Sequence, residues 1–196
     1  MTDTSRSRGR PRSVAADKAI ADATVAIISD EGYGGLTMAG VADRAGVSTA
    51  TLYRRWPSKE ELVLGTVATL APDRAEIDTG SLAGDLTELL EQLVDRLGAD
   101  GGRLLRGLIG EMVRNPELAD ALRQQALVPR LEELARMLDR AAQRGEIPPI
   151  ADRNVAVSAV LGPLHYRFLM TGEPVDYEVV HSLIPILLAA FGAGHR

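Results

Sequence analysis

The sequence predicts an all-α protein, and three observations carry that reading. Apolar residues recur at helical spacing along most of the 196-residue chain, with no segment that alternates in the manner of a strand. Alanine and leucine are abundant while aromatic residues make up 4%, a balance that favours helix over sheet. Capping residues and glycine or proline stops punctuate the chain at helix-length intervals. The layout is a small N-terminal head followed by a larger helical body.

The opening segment, residues 1–12, has no apolar period and reads as a flexible basic arm. From Ser13, a good N-cap, Ile20, Thr24, Ile27 and Ile28 mark one face of a helix that Gly32 ends. Thr37 caps a short helix with Met38, Val41, Ala42 and Ala45 turned inward, and Gly46 stops it. Ser48 caps the next, which runs to about Trp56. Pro57-Ser58 breaks the chain, and Ser58 with Glu61 forms the capping box of a fourth helix reaching about Pro72. Asp73 to Ser81 reads as a loose linker. The body is expected to hold helices near 82–98, 102–114, 116–126, 129–144, 152–171 and 176–192. Asn115-Pro116 forms a cap with proline at the first helical position, and Gly145 is a stop. Gly162-Pro163 and Pro185 should kink or break the last two helices. The resulting partition is 1–12 arm, 13–57 head, 58–72 connecting helix and 73–196 regulatory and dimerisation body.

Composition excludes several functions. With 45% hydrophobic and 25% charged residues the chain reads as soluble and globular. It has no cysteine, hence no disulfide and no thiolate metal site. No stretch reaches about 18 uninterrupted apolar residues, so a cytoplasmic protein without a membrane partner is expected. The net charge of −5 is uneven: residues 1–60 carry +2 and the remainder −7. A basic head on an acidic body fits a head that meets a polyanion, and on charge alone a solvated tail fits as well. The three histidines, His165, His181 and His195, are too widely spaced for a helical metal face. Neither a phosphate-binding glycine loop nor a nucleophile elbow is present, so no catalytic residue, metal or cofactor is expected.

The segments Thr37 to Ala45 and Ser48 to Trp56 have the layout of a helix-turn-helix. At 100° per residue, Leu52 and Trp56 point into the head's core with Ala42 and Val47. Ala50, Thr51 and Arg54 point away, flanked by Thr49 and Tyr53 on one side and Arg55 on the other. Small residues admit close approach to base edges, and a threonine methyl can touch a thymine methyl. Tyr53 and the arginines can reach phosphates, and arginine can also reach guanine. Thr37, Ser48 and Lys59 sit at helix N-termini, where free N–H groups favour a phosphate. Periodicity alone supports an ordinary helical hairpin with a solvated basic face equally well.

The string "LTMAGVADRAGVSTATLYRRWPSKEELV", Leu36 to Val63, resembles the DNA-binding signature of the TetR/AcrR family of transcriptional regulators. The resemblance implies that Thr37, Tyr53 and Lys59 hold phosphates, with Thr51 and Arg55 as further backbone contacts. Thr49, Ala50 and Arg54 would face bases. Trp56 stands where the family more often has phenylalanine, and Gly40 where longer side chains are usual. The arm's "RGRPR", with Arg8, Arg10 and Arg12, resembles an AT-hook core suited to a narrow minor groove; a basic tail that only adds phosphate attraction fits it too.

The final helices, "VAVSAVLGPLHYRFLM" and "VVHSLIPILLAAF", are apolar on more than one face and must be covered on several sides. A two-fold homodimer through them satisfies that requirement, with Leu187 and Leu188 expected at the seam. The resemblance also implies an inverted-repeat operator in double-stranded DNA. It further implies a small-molecule effector held among the middle helices, with Met112, Met137 and His165 as candidate lining. An ordinary core placement suits those three residues as well. Arg103, Arg106 and Arg114 would receive a carboxylate if turned inward.

Overall fold

A computed structural model describes residues 14–70 and 76–193. Ten α-helices follow in order: α1 Val14–Gly35, α2 Met38–Arg44, α3 Thr49–Arg55, α4 Lys59–Leu70, α5 Leu82–Gly98, α6 Asp100–Arg114, α7 Pro116–Leu122, α8 Val128–Gln143, α9 Arg153–Tyr166 and α10 Tyr177–Ala190. Two π-helical segments extend them, Arg123–Leu127 between α7 and α8 and Arg167–Thr171 after α9. No strand occurs among the described residues. The arm with Arg8, Arg10 and Arg12, the Ser13 cap and His195 lie outside those residues.

The caps read from sequence act as expected. Thr37 Oγ1 accepts from Gly40 N–H at 3.0 Å, Ser48 Oγ from Thr51 N–H at 3.1 Å and Ser58 Oγ from Glu61 N–H at 3.2 Å. Asn115 Oδ1 accepts from Leu118 N–H at 3.0 Å, with Pro116 in the first turn where its missing N–H costs nothing. Gly32 has φ +72°, a conformation that ends the regular part of α1 and turns the chain so that Tyr33 is buried.

Three expectations need correction. The helices do not break at Pro163 or Pro185: α9 and α10 run through both. A proline removes a single ladder bond, and Val160 and Leu164 on one side with Ile184 and Leu187 on the other stay buried in the body's core. The expected gap near 127–128 is bridged by the first π segment, and α6 starts at Asp100 without a side-chain cap, two residues before the expected 102. The linker is not loose where it is described. Ile77 is buried, and its carbonyl accepts from Arg140 Nη2 at 2.6 Å. The Asp85 carboxylate, fully buried, accepts from Thr79 N–H at 2.6 Å and Thr79 Oγ1 at 2.7 Å, with Arg144 Nη2 at 3.5 Å. A buried carboxylate is tolerable only when so partnered.

The chain buries two apolar clusters. One joins α5, α8, α9 and α10, with Leu86, Leu90, Leu134, Met137 and Val160 at its centre. The other joins α1 to α4 but also takes Leu104 and Leu108 from α6 and Leu118 and Leu122 from α7. The head's core therefore extends past residue 73 into the body. At this crossing Gly107 lets α6 approach α1 closely: a Cβ there would stand 2.5 Å from Ile28 Cγ2 and 2.6 Å from its carbonyl oxygen.

Candidate nucleic-acid interface

The second helix of the pair, α3, is held from beneath. Leu52 is fully buried, and Trp56 packs against α4 at Gly65, where a Cβ would come within 2.1 Å of the indole Nε1. With that side fixed, Thr49, Ala50, Tyr53 and Arg54 are all exposed on the opposite face. Tyr53 is 53% exposed, a large loss of burial for an aromatic ring unless something outside the chain covers it. Among the described residues Arg54 makes no ion pair.

The N-cap hydroxyls frame this face. Ser48 Oγ, already accepting from Thr51 N–H, also lies 2.8 Å from Thr51 Oγ1, so the two hydroxyls share a hydrogen. Thr51 is half-buried beside it, and Thr37 is exposed at the start of α2. The Thr37 hydroxyl keeps its own hydrogen available to donate to a phosphate, and the Ser48–Thr51 pair keeps one of its two. Lys59 opens α4 but does not stand free. Its ammonium lies 4.0 Å from the Tyr33 ring centroid and donates to the Tyr33 carbonyl at 3.4 Å. Tyr33 in turn donates its hydroxyl to Glu60 Oε1 at 2.6 Å. Burial first, then the Glu60 carboxylate, pushes the Tyr33 phenol above its ordinary range. The same hydrogen bond holds the Glu60 carboxyl below its ordinary value.

Arg55 is placed differently from the other basic residues. It turns back to pair with Asp17 of α1, and its guanidinium lies 5.0 Å from the Trp56 ring centroid. The structure thus brings Thr37, Ser48, Thr49, Ala50, Thr51, Tyr53 and Arg54 to one side of the head, places Lys59 at its edge and ties Arg55 inward. Asp17, Tyr33, Glu60 and Gly65 escaped the sequence reading. Asp17, Tyr33 and Gly65 each contact a residue of the motif from another helix, and Glu60 fixes Tyr33 beneath Lys59; local spacing carries no signal for such contacts.

The candidate effector residues are not brought together. Met137 is fully buried in the body cluster and Met112 packs on the head cluster. His165, half-buried, donates Nδ1–H to the Leu161 carbonyl at 2.9 Å. Arg103 pairs with Asp100 and Arg114 with Glu111 at 3.1 Å, both within α6. Arg106 stacks 4.0 Å from the Phe168 ring centroid. An open depression of about 400 Å³ lies elsewhere, between α1, α4 and the start of α6, with Asp17, Asp22, Leu70 and Asp100 on its walls. Leu187 belongs to the body's own core and Leu188 is half-buried against it, so neither is the outward residue expected. The large outward apolar residues on these helices and the π segment are Val155, Tyr166, Met170, Tyr177 and Ile186. No helix among the described residues is long and apolar enough to cross a membrane.

Comparison with known proteins agrees with this geometry. Residues 20–66 match bacterial regulatory proteins of the tetR family, and residues 76–186 match the tetracyclin repressor-like C-terminal domain. The HTH-type transcriptional regulator YdeS of Bacillus subtilis (strain 168) is 32% identical over 90% of this chain and 90% of its own. The DNA-binding transcriptional repressor TetR of Mycobacteroides abscessus is 33% identical over 96% of this chain and 98% of its own. The crystal structure of the TetR family transcription regulator SCO0332 superposes with a TM-score of 0.68 at 33% identity, covering 89% of this chain and 97% of that one.

Proposed function

Because the chain belongs to the TetR family of DNA-binding transcriptional regulators, we propose that it is a homodimeric repressor of an inverted-repeat operator, released by a small apolar or aromatic effector. One observation carries the reading: the outward face of α3 leaves Thr49, Ala50, Tyr53 and Arg54 exposed between capped helix starts. Thr49, Ala50 and Arg54 would face bases in the major groove, while Thr37, Ser48, Thr51, Tyr53 and Lys59 would hold phosphates. The one repressor named above among the relatives, at 33% identity over nearly the whole chain, supports repression over activation.

Dimerisation is supported by the stripe Val155, Ala159, Gly162, Tyr166 and Met170, which recurs at helical spacing along α9 and its π segment and stays exposed. Ile186 continues that surface on α10. Two such faces would set two recognition helices about one DNA turn, roughly 34 Å, apart. We propose 13–57 as the reading head, 58–72 as the connecting helix and 73–196 as the regulatory and dimerisation body. The two family matches, 20–66 and 76–186, fall on either side of residues 67–75 and support the start of the body near 73.

For the effector, the support is the chemistry of the middle helices, where Ile109 and Val113 of α6 and Leu127 before α8 are exposed and apolar. Arg103 and Arg114 are engaged within their own helix, which leaves an anionic effector fewer free cations. To weaken operator binding tenfold the effector need prefer the non-binding state by only about 1.4 kcal/mol. Selection from random duplex DNA tests the operator, and an inverted repeat is the expected product. A single asymmetric half-site as the preferred sequence would overturn the dimeric reading. Titrating apolar and charged compounds into the protein–operator complex, read by fluorescence anisotropy, tests release. Release by a multiply charged compound alone would overturn the effector class.

A further inference from the structure

We propose that Asp17 is a positioning residue for operator binding: it holds Arg55 as a strut between α1 and the last turn of α3, fixing the recognition helix, and Arg55 is not a phosphate ligand. The proposal rests on the reading of α3 as the DNA-reading helix. Arg55 is the last residue of α3, on the flank away from Tyr53. Its side chain is 23% exposed and that of Asp17 is 25% exposed, so the pair is largely withdrawn from water. The facing Asp17 Oδ1 is itself closed off from solvent. An ion pair so placed is weakly screened and expensive to break, because the survivor is left as an uncompensated charge.

The pair also reaches a third helix. The Arg55 guanidinium lies 5.0 Å from the Trp56 ring centroid, and Trp56 is seated on α4 at Gly65. Asp17, Arg55 and Trp56 therefore lock the end of α3 to α1 and α4 together. Leu52 anchors the middle of α3, and Ser48 caps its start. For a helix of seven residues those three fixings define its tilt. A small tilt moves Thr49 and Ala50 relative to base edges, where contact distances tolerate little change. Arg54, the adjacent arginine, has no such partner among the described residues and is exposed.

A phosphate ligand and a strut predict different salt behaviour. Each phosphate contact contributes about 0.9 to the slope of log affinity against log salt, whereas a strut contributes nothing to it. The test measures operator affinity by fluorescence anisotropy over a salt series, on the sequence selected with the wild-type protein. It uses Asp17→Asn, Arg55→Gln, the double variant and Asp17→Glu, with thermal melts to confirm that each is folded. The strut predicts that Asp17→Asn and Arg55→Gln each weaken binding on the order of tenfold. The double variant should be no worse than either single one, Asp17→Glu should retain most of the affinity, and the salt slope should match the wild type throughout. Unchanged or tighter binding by Asp17→Asn, with Arg55→Gln flattening the slope by about 0.9, would make Arg55 a phosphate ligand and overturn the proposal. Losses that track lowered melting midpoints and spread equally over unrelated duplexes would overturn it too. If the wild-type protein selects no duplex at all, the reading of α3 has failed, independently of the strut.

Discussion

The head and the body are both helical and both well packed, yet they leave opposite kinds of surface uncovered. In the head the outward face of α3 presents hydroxyls, a phenol and a guanidinium, and Tyr53 is its one exposed large apolar residue among those described. The body instead leaves several large apolar side chains exposed among its charged ones, with Val113, Val155, Tyr166, Met170 and Ile186 the most open. A surface that keeps hydrogen-bond donors around a narrow stripe suits a charged, polar partner such as DNA. A surface that keeps apolar side chains at helical spacing suits a second protein helix. The contrast also shows that burial within one subunit and burial in an assembly must be argued separately, since adjacent residues of α10 face opposite ways.

The most severe test of that contrast uses those adjacent residues. Leu187 is 4% exposed in its own subunit and Ile186 is 64% exposed. Leu187→Glu should strand a charge in the body's core at a cost of several kcal/mol and yield little folded protein. Ile186→Glu should leave the subunit folded by circular dichroism but monomeric by analytical ultracentrifugation, with a large loss of affinity for a two-half-site operator. If Ile186→Glu remains a dimer, the apolar face of the body has been assigned to the wrong partner.

A smaller effect is expected where the two regions join. Gly107→Val inserts atoms into the contact between α6 and the Ile28 backbone, and overpacking of this kind costs about 1–3 kcal/mol. Because the head's core takes leucines from α6 and α7, the melting midpoint of the whole protein should fall, and operator affinity should fall with it. A single transition shifted as a unit would support coupling through this crossing. Two transitions, only one of them shifted, would show a head that melts by itself.

What the sequence reveals follows the range of the interactions concerned. The helix starts at Thr37, Ser48, Ser58 and Asn115 depend on hydrogen bonds within three residues, and the structure places each where the local pattern puts it. The two sides of α3 depend only on helical geometry, and Leu52 and Trp56 lie inward as expected. Contacts between distant segments are another matter. Arg55 looks like any surface arginine until α1 brings Asp17 beside it, and Lys59 like a free N-terminal lysine until Tyr33 slides under it. The loose reading of residues 76–81 failed for the same reason, since Arg140 and Arg144 come from the far end of α8. At Pro163 and Pro185 the helices do not break, because packing on both sides of a proline outweighs one missing hydrogen bond.

The same local chemistry in the two regions offers a finer comparison. Ser48 caps α3 in the head, and Asp152 caps α9 in the body by accepting from Asn154 N–H at 2.9 Å and Val155 N–H at 3.1 Å. Ser48→Ala and Asp152→Ala should each lower stability by about 1 kcal/mol in denaturant titrations. Only Ser48→Ala should also weaken operator binding, because it removes a hydroxyl at the proposed DNA face and loosens the first turn of α3. Equal effects of the two variants on DNA affinity would show that the head responds to general stability and not to the cap.

The smallest effect expected is one of pH, and again each region supplies a partner for the comparison. In the head the buried Tyr33 donates to Glu60 at 2.6 Å, and in the body the exposed Tyr177 donates to Asp95 at 2.5 Å. The Glu60 carboxyl is held below its ordinary value of 4.5, chiefly by the Tyr33 hydroxyl. A depressed carboxyl favours the folded state while ionised, so its contribution is complete above about pH 4.5 and is lost as pH falls through the lower, folded-state value. The raised Tyr33 phenol works in the opposite window, contributing below its ordinary value of 10.0 and losing that contribution only in strong alkali. Tyr33→Phe should therefore cost roughly 0.5 kcal/mol at neutral pH, once screening at the partly exposed carboxylate is discounted. That difference should shrink as the pH is lowered below 4.5, because the protonated Glu60 no longer gains from the hydroxyl. Tyr177→Phe, on the solvent side of α10, should change stability less at every pH. Denaturant midpoints of the three proteins between pH 3 and pH 8 decide the matter. A Tyr33→Phe deficit that stays constant across that range would mean that the phenol acts by filling space beneath Lys59 and not through Glu60.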